Sequence, residues 1–165
     1  MSSTNSLPTW IWKRVDGFCA CGFGTGAARY APGTFGTAAG IPFYWLMQGI
    51  SLPLYLGVTL ILFIVGVWIC GRTARALGVH DHPGIVWDEI VGFLVTMTLA
   101  PPGWVWWLSG FILFRLFDIV KPWPIRILDQ RVGGGFGIMI DDVLAGIYAA
   151  VCLQLLHASG LLGLN

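Results

Sequence analysis

Charge is scarce in this sequence. Asp, Glu, Lys and Arg make up 10% of its 165 residues, against roughly 25% in a typical soluble domain. That scarcity argues against a soluble globular fold. The signs nearly balance, with a net charge of +1 at neutral pH, so there is no basic field to attract nucleic acid. Cysteine is limited to Cys19, Cys21, Cys70 and Cys152, too few and too scattered for a zinc site or a disulfide framework. The first nine residues lack the basic stretch that opens a secretory signal, so export is not expected. What is present is apolar: 56% hydrophobic residues and nine tryptophans, with a mean hydropathy of +0.78. This content excludes intrinsic disorder and predicts an all-α, polytopic membrane bundle folded as one domain over 1–165.

Three runs carry no Asp, Glu, Lys or Arg: 30–71, 90–114 and 143–165, the last with His157 as its only titratable side chain. Turn signals split the first at Gln48-Gly49-Ile50-Ser51-Leu52-Pro53 and the second at Pro101-Pro102-Gly103. The pattern therefore predicts about five membrane-embedded helices, over 33–47, 53–72, 84–99, 104–120 and 141–162. Several fall short of the roughly 20 residues a span needs, so their ends lie in the headgroup zone or the first helix is re-entrant. With five helices, Lys13, Arg14, Arg29, Arg72, Arg75, Arg115, Lys121, Arg126 and Arg131 all sit on or near one side. The positive-inside rule makes that side cytoplasmic. Three single spans would put Arg72 and Arg75 opposite Lys121, Arg126 and Arg131. The arm 1–21, with Trp10-Ile11-Trp12-Lys13-Arg14, reads as an interfacial anchor.

The chemistry is concentrated. Thirteen of the 17 charged residues lie in 72–142, in three clusters separated by apolar helix. The first is His80-Asp81-His82-Pro83 followed by Trp87-Asp88-Glu89, where Pro83 suits the start of a helix and the acids fall one to one and a half turns inside it. The second is Arg115-Leu116-Phe117-Asp118 with Lys121 and Arg126, in which spacings of three share a helix face. The third is the glycine run 133–137 leading to Asp141-Asp142 at the mouth of the last helix. Acids entering apolar helices are costly unless paired, protonated or bound to metal. Asp88, Glu89, Asp118, Asp141 and Asp142 converging on one membrane face would repel one another, and Mg²⁺, a hard cation held by carboxylates, water and phosphate, relieves that. Arg115, Lys121 and Arg126 supply a phosphate clamp. Carboxylates, divalent metal and clamp together suit phosphoryl chemistry.

Upstream, Pro32-Gly33-Thr34-Phe35-Gly36-Thr37 joins a glycine-rich turn to a helix start, an arrangement that presents amides to anions. Thr34, Gly36 and Thr37 are candidate phosphate contacts, although Gly36 and Gly40 also form a small-residue packing face. No cysteine is followed six positions later by arginine, which excludes a thiol phosphatase. A transporter or channel for a divalent cation or proton stays open, because intramembrane acids also mark ion paths. Transport sites lie near the midplane, whereas these acids gather at helix ends on one side.

Four ordered motifs now stand together: Pro32-Gly33-Thr34-Phe35-Gly36-Thr37, His80-Asp81-His82 running to Val86-Trp87-Asp88-Glu89, the stretch from Phe114-Arg115 to Lys121-Pro122-Trp123-Pro124-Ile125-Arg126, and Gly137-Ile138-Met139-Ile140-Asp141-Asp142. In these the chain resembles phosphatidylglycerophosphatase A, the bacterial membrane lipid phosphatase, over about 22–150. The resemblance implies Mg²⁺-dependent hydrolysis of phosphatidylglycerol phosphate, a membrane phospholipid substrate, to phosphatidylglycerol and inorganic phosphate at the cytoplasmic membrane. On that reading Asp88, Glu89, Asp118, Asp141 and Asp142 hold one or two Mg²⁺ ions. Glu89 is the leading general base, and His80 or His82 the acid that protonates the leaving oxygen. A covalent intermediate on Asp141 or Asp142 remains an alternative to direct attack by water.

Overall fold

The structure, a computed structural model, describes residues 7–160. The first six residues of the expected arm, and the end of the last helix expected at 162, lie outside the described residues. Seven α-helices and two 3-10 helices form the fold, and no strand occurs among the described residues. The 3-10 segments are Thr9–Lys13 and Gly22–Ala27. The α-helices are α1 Val15–Ala20, α2 Pro32–Met47, α3 Leu52–Leu77, α4 Trp87–Thr96, α5 Trp104–Val120, α6 Ile125–Arg131 and α7 Gly134–Ala158.

Local chemistry explains most boundaries. Pro32 opens α2 at a position whose N–H would have no helical partner, and Pro53 serves the first turn of α3 in the same way. Gly78, at φ 71°, closes α3: its N–H bonds to Arg75 O at 3.2 Å, and Val79 N–H bonds to Ala74 O at 3.1 Å. The helix therefore runs past the end expected at 72, because Arg, Ala and Leu sustain a helix until a residue suited to the left-handed conformation ends it. α5 forms over 104–120, as its apolar pattern predicts.

Two helices start elsewhere than expected. α4 begins at Trp87 rather than 84, because the preceding backbone is held outside a helix by Ile85 N–H bonding to His82 O at 2.8 Å and Val86 N–H to Ala20 O at 2.9 Å. Asp88 and Glu89 thus occupy its first turn instead of lying deeper. α7 begins at Gly134, seven residues before the expected start. From Gly134 onward the glycine run is helix, not a flexible lead. A Cβ at Gly135 would overlap Val67 O of α3, and one at Gly137 would overlap Val132 O, so these glycines permit close approach where a larger residue is excluded.

α2, α3, α4, α5 and α7 alternate in direction. At one end Gly33 of α2 stands beside Glu89 of α4 and Arg115 of α5. At the other, Tyr55 OH donates to Leu94 O at 2.7 Å and Gln154 Nε2 to Leu99 O at 2.8 Å. α4 is the central element: Ile90, Val91, Phe93 and Leu94 are wholly buried against α2, α3, α5 and α7. Its Gly92 meets Gly146 of α7, where a Cβ would strike the facing carbonyl, an approach open only to the smallest residues.

The outer surface is apolar. Leu60, Ile61, Ile64 and Trp68 of α3 are all more than half exposed, the inverse of a water-soluble helix. Among the described residues two helices, α3 with 26 residues and α7 with 25, are long and apolar enough to cross a membrane. At 1.5 Å per residue they reach about 39 and 37 Å, beyond the roughly 30 Å hydrocarbon core. α2, α4 and α5, with 16, 10 and 17 residues, are shorter than that thickness.

Candidate metal centre

The centre forms where the first turn of α4 faces the second and third turns of α7. Asp88, Glu89 and Asp142 each place a carboxylate oxygen within 4.8 Å of the others'. Asp88 and Asp142 are 8% and 3% exposed, so water screens them poorly. Asp88 Oδ1, Glu89 Oε2 and Asp142 Oδ2 are buried and take no hydrogen bond, which is costly for groups of this kind. At Asp88 and Glu89 the unbonded amides and dipole of the α4 start offset part of the repulsion. Asp142 lies mid-helix and has no such relief.

The expected acids divide into two groups. Asp118 on α5 is held by Arg115, whose Nη1 donates to its Oδ2 at 2.6 Å. The same Nη1 lies 3.9 Å from Glu89 Oε1. Arg115 is therefore the cation between the acids of α4 and α5. Asp141 turns aside: its Oδ2 accepts from Lys121 Nζ at 2.6 Å, and the same ammonium donates to Asp129 Oδ1 at 2.7 Å. Lys121 thus closes a link between α5, α6 and α7. Asp141 is seven residues inside α7, so it does not cap that helix.

The trio Asp88, Glu89 and Asp142 offers oxygen atoms alone. His80 and His82 are not part of it. His80 is exposed, and its Nε2 lies 3.4 Å from where a Cβ at Gly133 would sit. His82 is half-buried; its Nδ1 accepts the Gly84 N–H at 3.0 Å, which places the ring proton on Nε2. Burial also lowers its pKa, favouring the neutral ring. Asp81, itself exposed, accepts the His82 N–H at 2.6 Å.

The start of α2 approaches the centre closely. A Cβ at Gly33 would overlap Glu89 Oε1 and lie 3.0 Å from Arg115 Nη1. Thr34, the next residue, is partly exposed. Gly36 is buried against Val86, where a Cβ would fall 2.6 Å from Val86 Cβ, and the Thr37 hydroxyl is spent on Gly33 O at 2.9 Å. The structure therefore gives Gly36 and Thr37 partners within the protein. Arg126 on α6 is exposed and in no ion pair among the described residues.

Asp129 was not among the residues expected at this site. It stands eight residues after Lys121, about 12 Å away along a continuous helix, and the turn into α6 returns it to that ammonium. Six acids gather here, and among the described residues Arg115 and Lys121 are the cations that pair with them, at Glu89, Asp118, Asp129 and Asp141. The excess negative charge is of a size that divalent cations offset.

Comparison with known proteins agrees with this chemistry. A family model described as phosphatidylglycerophosphatase A matches residues 18–157. A phosphatidylglycerophosphatase A of Escherichia coli K12 is 47% identical over 132 residues, 79% of this chain and 77% of its own. One from Haemophilus influenzae is 47% identical over 134 residues, 80% of this chain and 82% of its own. No solved structure matches.

Proposed function

The chain belongs to the phosphatidylglycerophosphatase A family, and from that we propose that it hydrolyses phosphatidylglycerol phosphate to phosphatidylglycerol and inorganic phosphate. The observation that carries the reading is the buried trio Asp88, Glu89 and Asp142, whose oxygens converge without a protein cation to pair all of them. An all-oxygen donor set without His or Cys suits a hard divalent ion, and Mg²⁺ is the one we assign. Asp88, Glu89 and Asp142 would hold it, with Asp118 beside them. When bound, the ion supplies charge neutralisation and polarisation at the phosphoryl oxygens.

The remaining work falls to the chain's own groups. Arg115 faces the site with a planar guanidinium that fits phosphate oxygens, and Thr34 follows Gly33, which stands against both Glu89 and Arg115. Glu89, joined to Arg115 only at 3.9 Å, is the base that takes a proton from the attacking water. Of the two imidazoles, His80 is the one assigned to protonate the leaving glycerol oxygen. His82 would first have to give up the bond to Gly84 N–H, since a protonated Nδ1 cannot accept it. Lys121 orients Asp141, and Arg126 stands at the headgroup level where a phosphate arrives.

We further place α2, α3, α4, α5 and α7 as five membrane-embedded helices, with the acidic end at the cytoplasmic face of a bacterial inner membrane. Their alternating direction gathers the basic residues at one end, as the positive-inside rule requires. The test is phosphate release from the lipid by the purified chain. Asp88→Asn and Asp142→Asn are each expected to lower the rate more than 100-fold, beyond the roughly 10–100-fold typical of groups one layer removed from a metal, and EDTA is expected to abolish it. Activity within tenfold of the parent in both variants would overturn the assignment.

A further inference from the structure

A separate feature lies where α1 docks on the charged end of α3. Asp16 accepts from Arg14 Nε at 3.1 Å and Nη2 at 2.7 Å, and from Arg72 Nε at 3.0 Å. One carboxylate thus faces two guanidiniums. Lys13 and Arg75, their near neighbours in the chain, are exposed and in no ion pair among the described residues. The rim is therefore net positive. It is also aromatic: Arg72 lies 5.0 Å from the Trp68 ring and Arg14 5.9 Å from that of Trp10, the mixture of indoles and cations that sits at headgroup depth.

Beneath the rim opens a groove of about 410 Å³. Val15, Cys19, Val65, Trp68 and Ile69 line it, and Trp87 forms part of its wall. The Trp87 indole N–H is already bonded to Leu62 O at 3.1 Å, so below the guanidiniums the groove presents hydrocarbon. Val65 and Trp68 are 41% and 57% exposed, on the face of α3 that meets lipid. An anionic head above an apolar channel describes one kind of molecule.

We propose that this groove binds an anionic phospholipid of the surrounding bilayer, with its phosphate against Arg14 and Arg72 and one acyl chain along Val65, Trp68 and Ile69. The bound lipid is not the one hydrolysed. Glu89 faces Gly33 of α2 and Arg115 of α5, and Asp142 lies on α7, whereas the groove lies between α1 and α3 with Trp87 of α4 in its wall, and its single carboxylate accepts from two guanidiniums. The inference rests on the membrane placement of α3 and stands apart from the hydrolytic reading.

The experiment is native mass spectrometry of the purified full-length chain released from detergent micelles. The probes are phosphatidylserine, neither substrate nor product of the proposed reaction, and zwitterionic phosphatidylcholine. Phosphatidylserine is expected to be retained preferentially. Arg14→Gln and Arg72→Gln should each weaken that retention about fivefold, the effect of removing one cation at a membrane surface. Val65→Trp, at an exposed position that tolerates bulk, should abolish it by filling the groove, and it carries the test if loss of Arg72 unfolds the α1 contact. Asp142→Asn should leave retention unchanged. Equal retention of the two lipids, indifference to Val65→Trp, or loss in Asp142→Asn would overturn the proposal. So would a Val65→Trp-sensitive dimer in place of bound lipid, which would make a second copy the occupant. A chain that retains phosphatidylserine in this pattern yet releases no phosphate would sink the hydrolytic reading and leave this one standing.

Discussion

At Lys121 a single ammonium bonds two carboxylates on different helices, Asp129 and Asp141. Removing it leaves Asp141, 7% exposed on its side chain, as an uncompensated buried charge. Lys121→Met is expected to destabilise the fold by about 3–5 kcal/mol, measured by thermal unfolding in detergent, and the double variant with Asp141→Asn should recover most of that loss. Gly33 makes a second residue-scale prediction. Since a Cβ there collides with Glu89 Oε1, Gly33→Ala should cut phosphate release by at least tenfold with little change in the melting temperature; parent-like rates would refute the close approach. Asp16 makes a third. Its pKa is lowered to about 2, first by the hydrogen bond from Arg14. A carboxylate depressed in the folded state contributes stability above its unfolded pKa, near 3.8, and loses it as pH falls toward 2. The stability difference between the parent and Asp16→Asn should therefore hold its plateau above about pH 5, decline as pH falls through about 4 and 3, and level off only below about pH 2 in an acid titration. The side-chain types for all this were legible in the order of residues. Which acid takes which cation was not, because Asp129 and Asp141 reach Lys121 only through the turn into α6 and the packing of α7.

At the scale of elements, the position of the acids depends on how α4 crosses α7. Gly92 and Gly146 bring the two backbones into contact, and this crossing sets Asp142 opposite Asp88 and Glu89. Gly146→Val should force the helices apart, so Mg²⁺ binding by calorimetry is expected to weaken at least tenfold even in detergents that keep the chain helical. Unchanged affinity would show that the crossing does not position the acids. The glycine run ahead of Asp141 illustrates where sequence reasoning failed. Gly133-Gly134-Gly135 has low intrinsic helix propensity and reads as a loop, but Gly135 is buried against Val67 and Gly71 of α3. Tertiary contact overrode propensity and moved the two aspartates from the mouth of α7 to its interior. The short α4 shows the converse: a helix expected from 84, on Pro83 as its start, is delayed because Ile85 and Val86 are tied by bonds to His82 and Ala20.

At the scale of the molecule, the alternating helices collect the basic residues at the end that carries the acids, and the loops at 48–51 and 97–103 carry no charge at all. In right-side-out membrane vesicles, Arg75→Cys should therefore resist an impermeant maleimide while Gly103→Cys reacts, in a background lacking Cys19, Cys21, Cys70 and Cys152; the reverse pattern would invert the proposed orientation. The amino-acid order alone determined that this chain is an apolar helical protein with its ionisable groups confined to a few clusters, because composition and hydropathy act through solvent and need no partner. It also determined which residue types were available for metal and phosphate. Only the tertiary structure decided that Asp88, Glu89 and Asp142 share one buried space while Asp141 is claimed by Lys121 and Asp118 by Arg115. Pairing of charges depends on distances of a few ångströms between helices far apart in the chain, and those distances are set by packing at glycine contacts that no local pattern encodes.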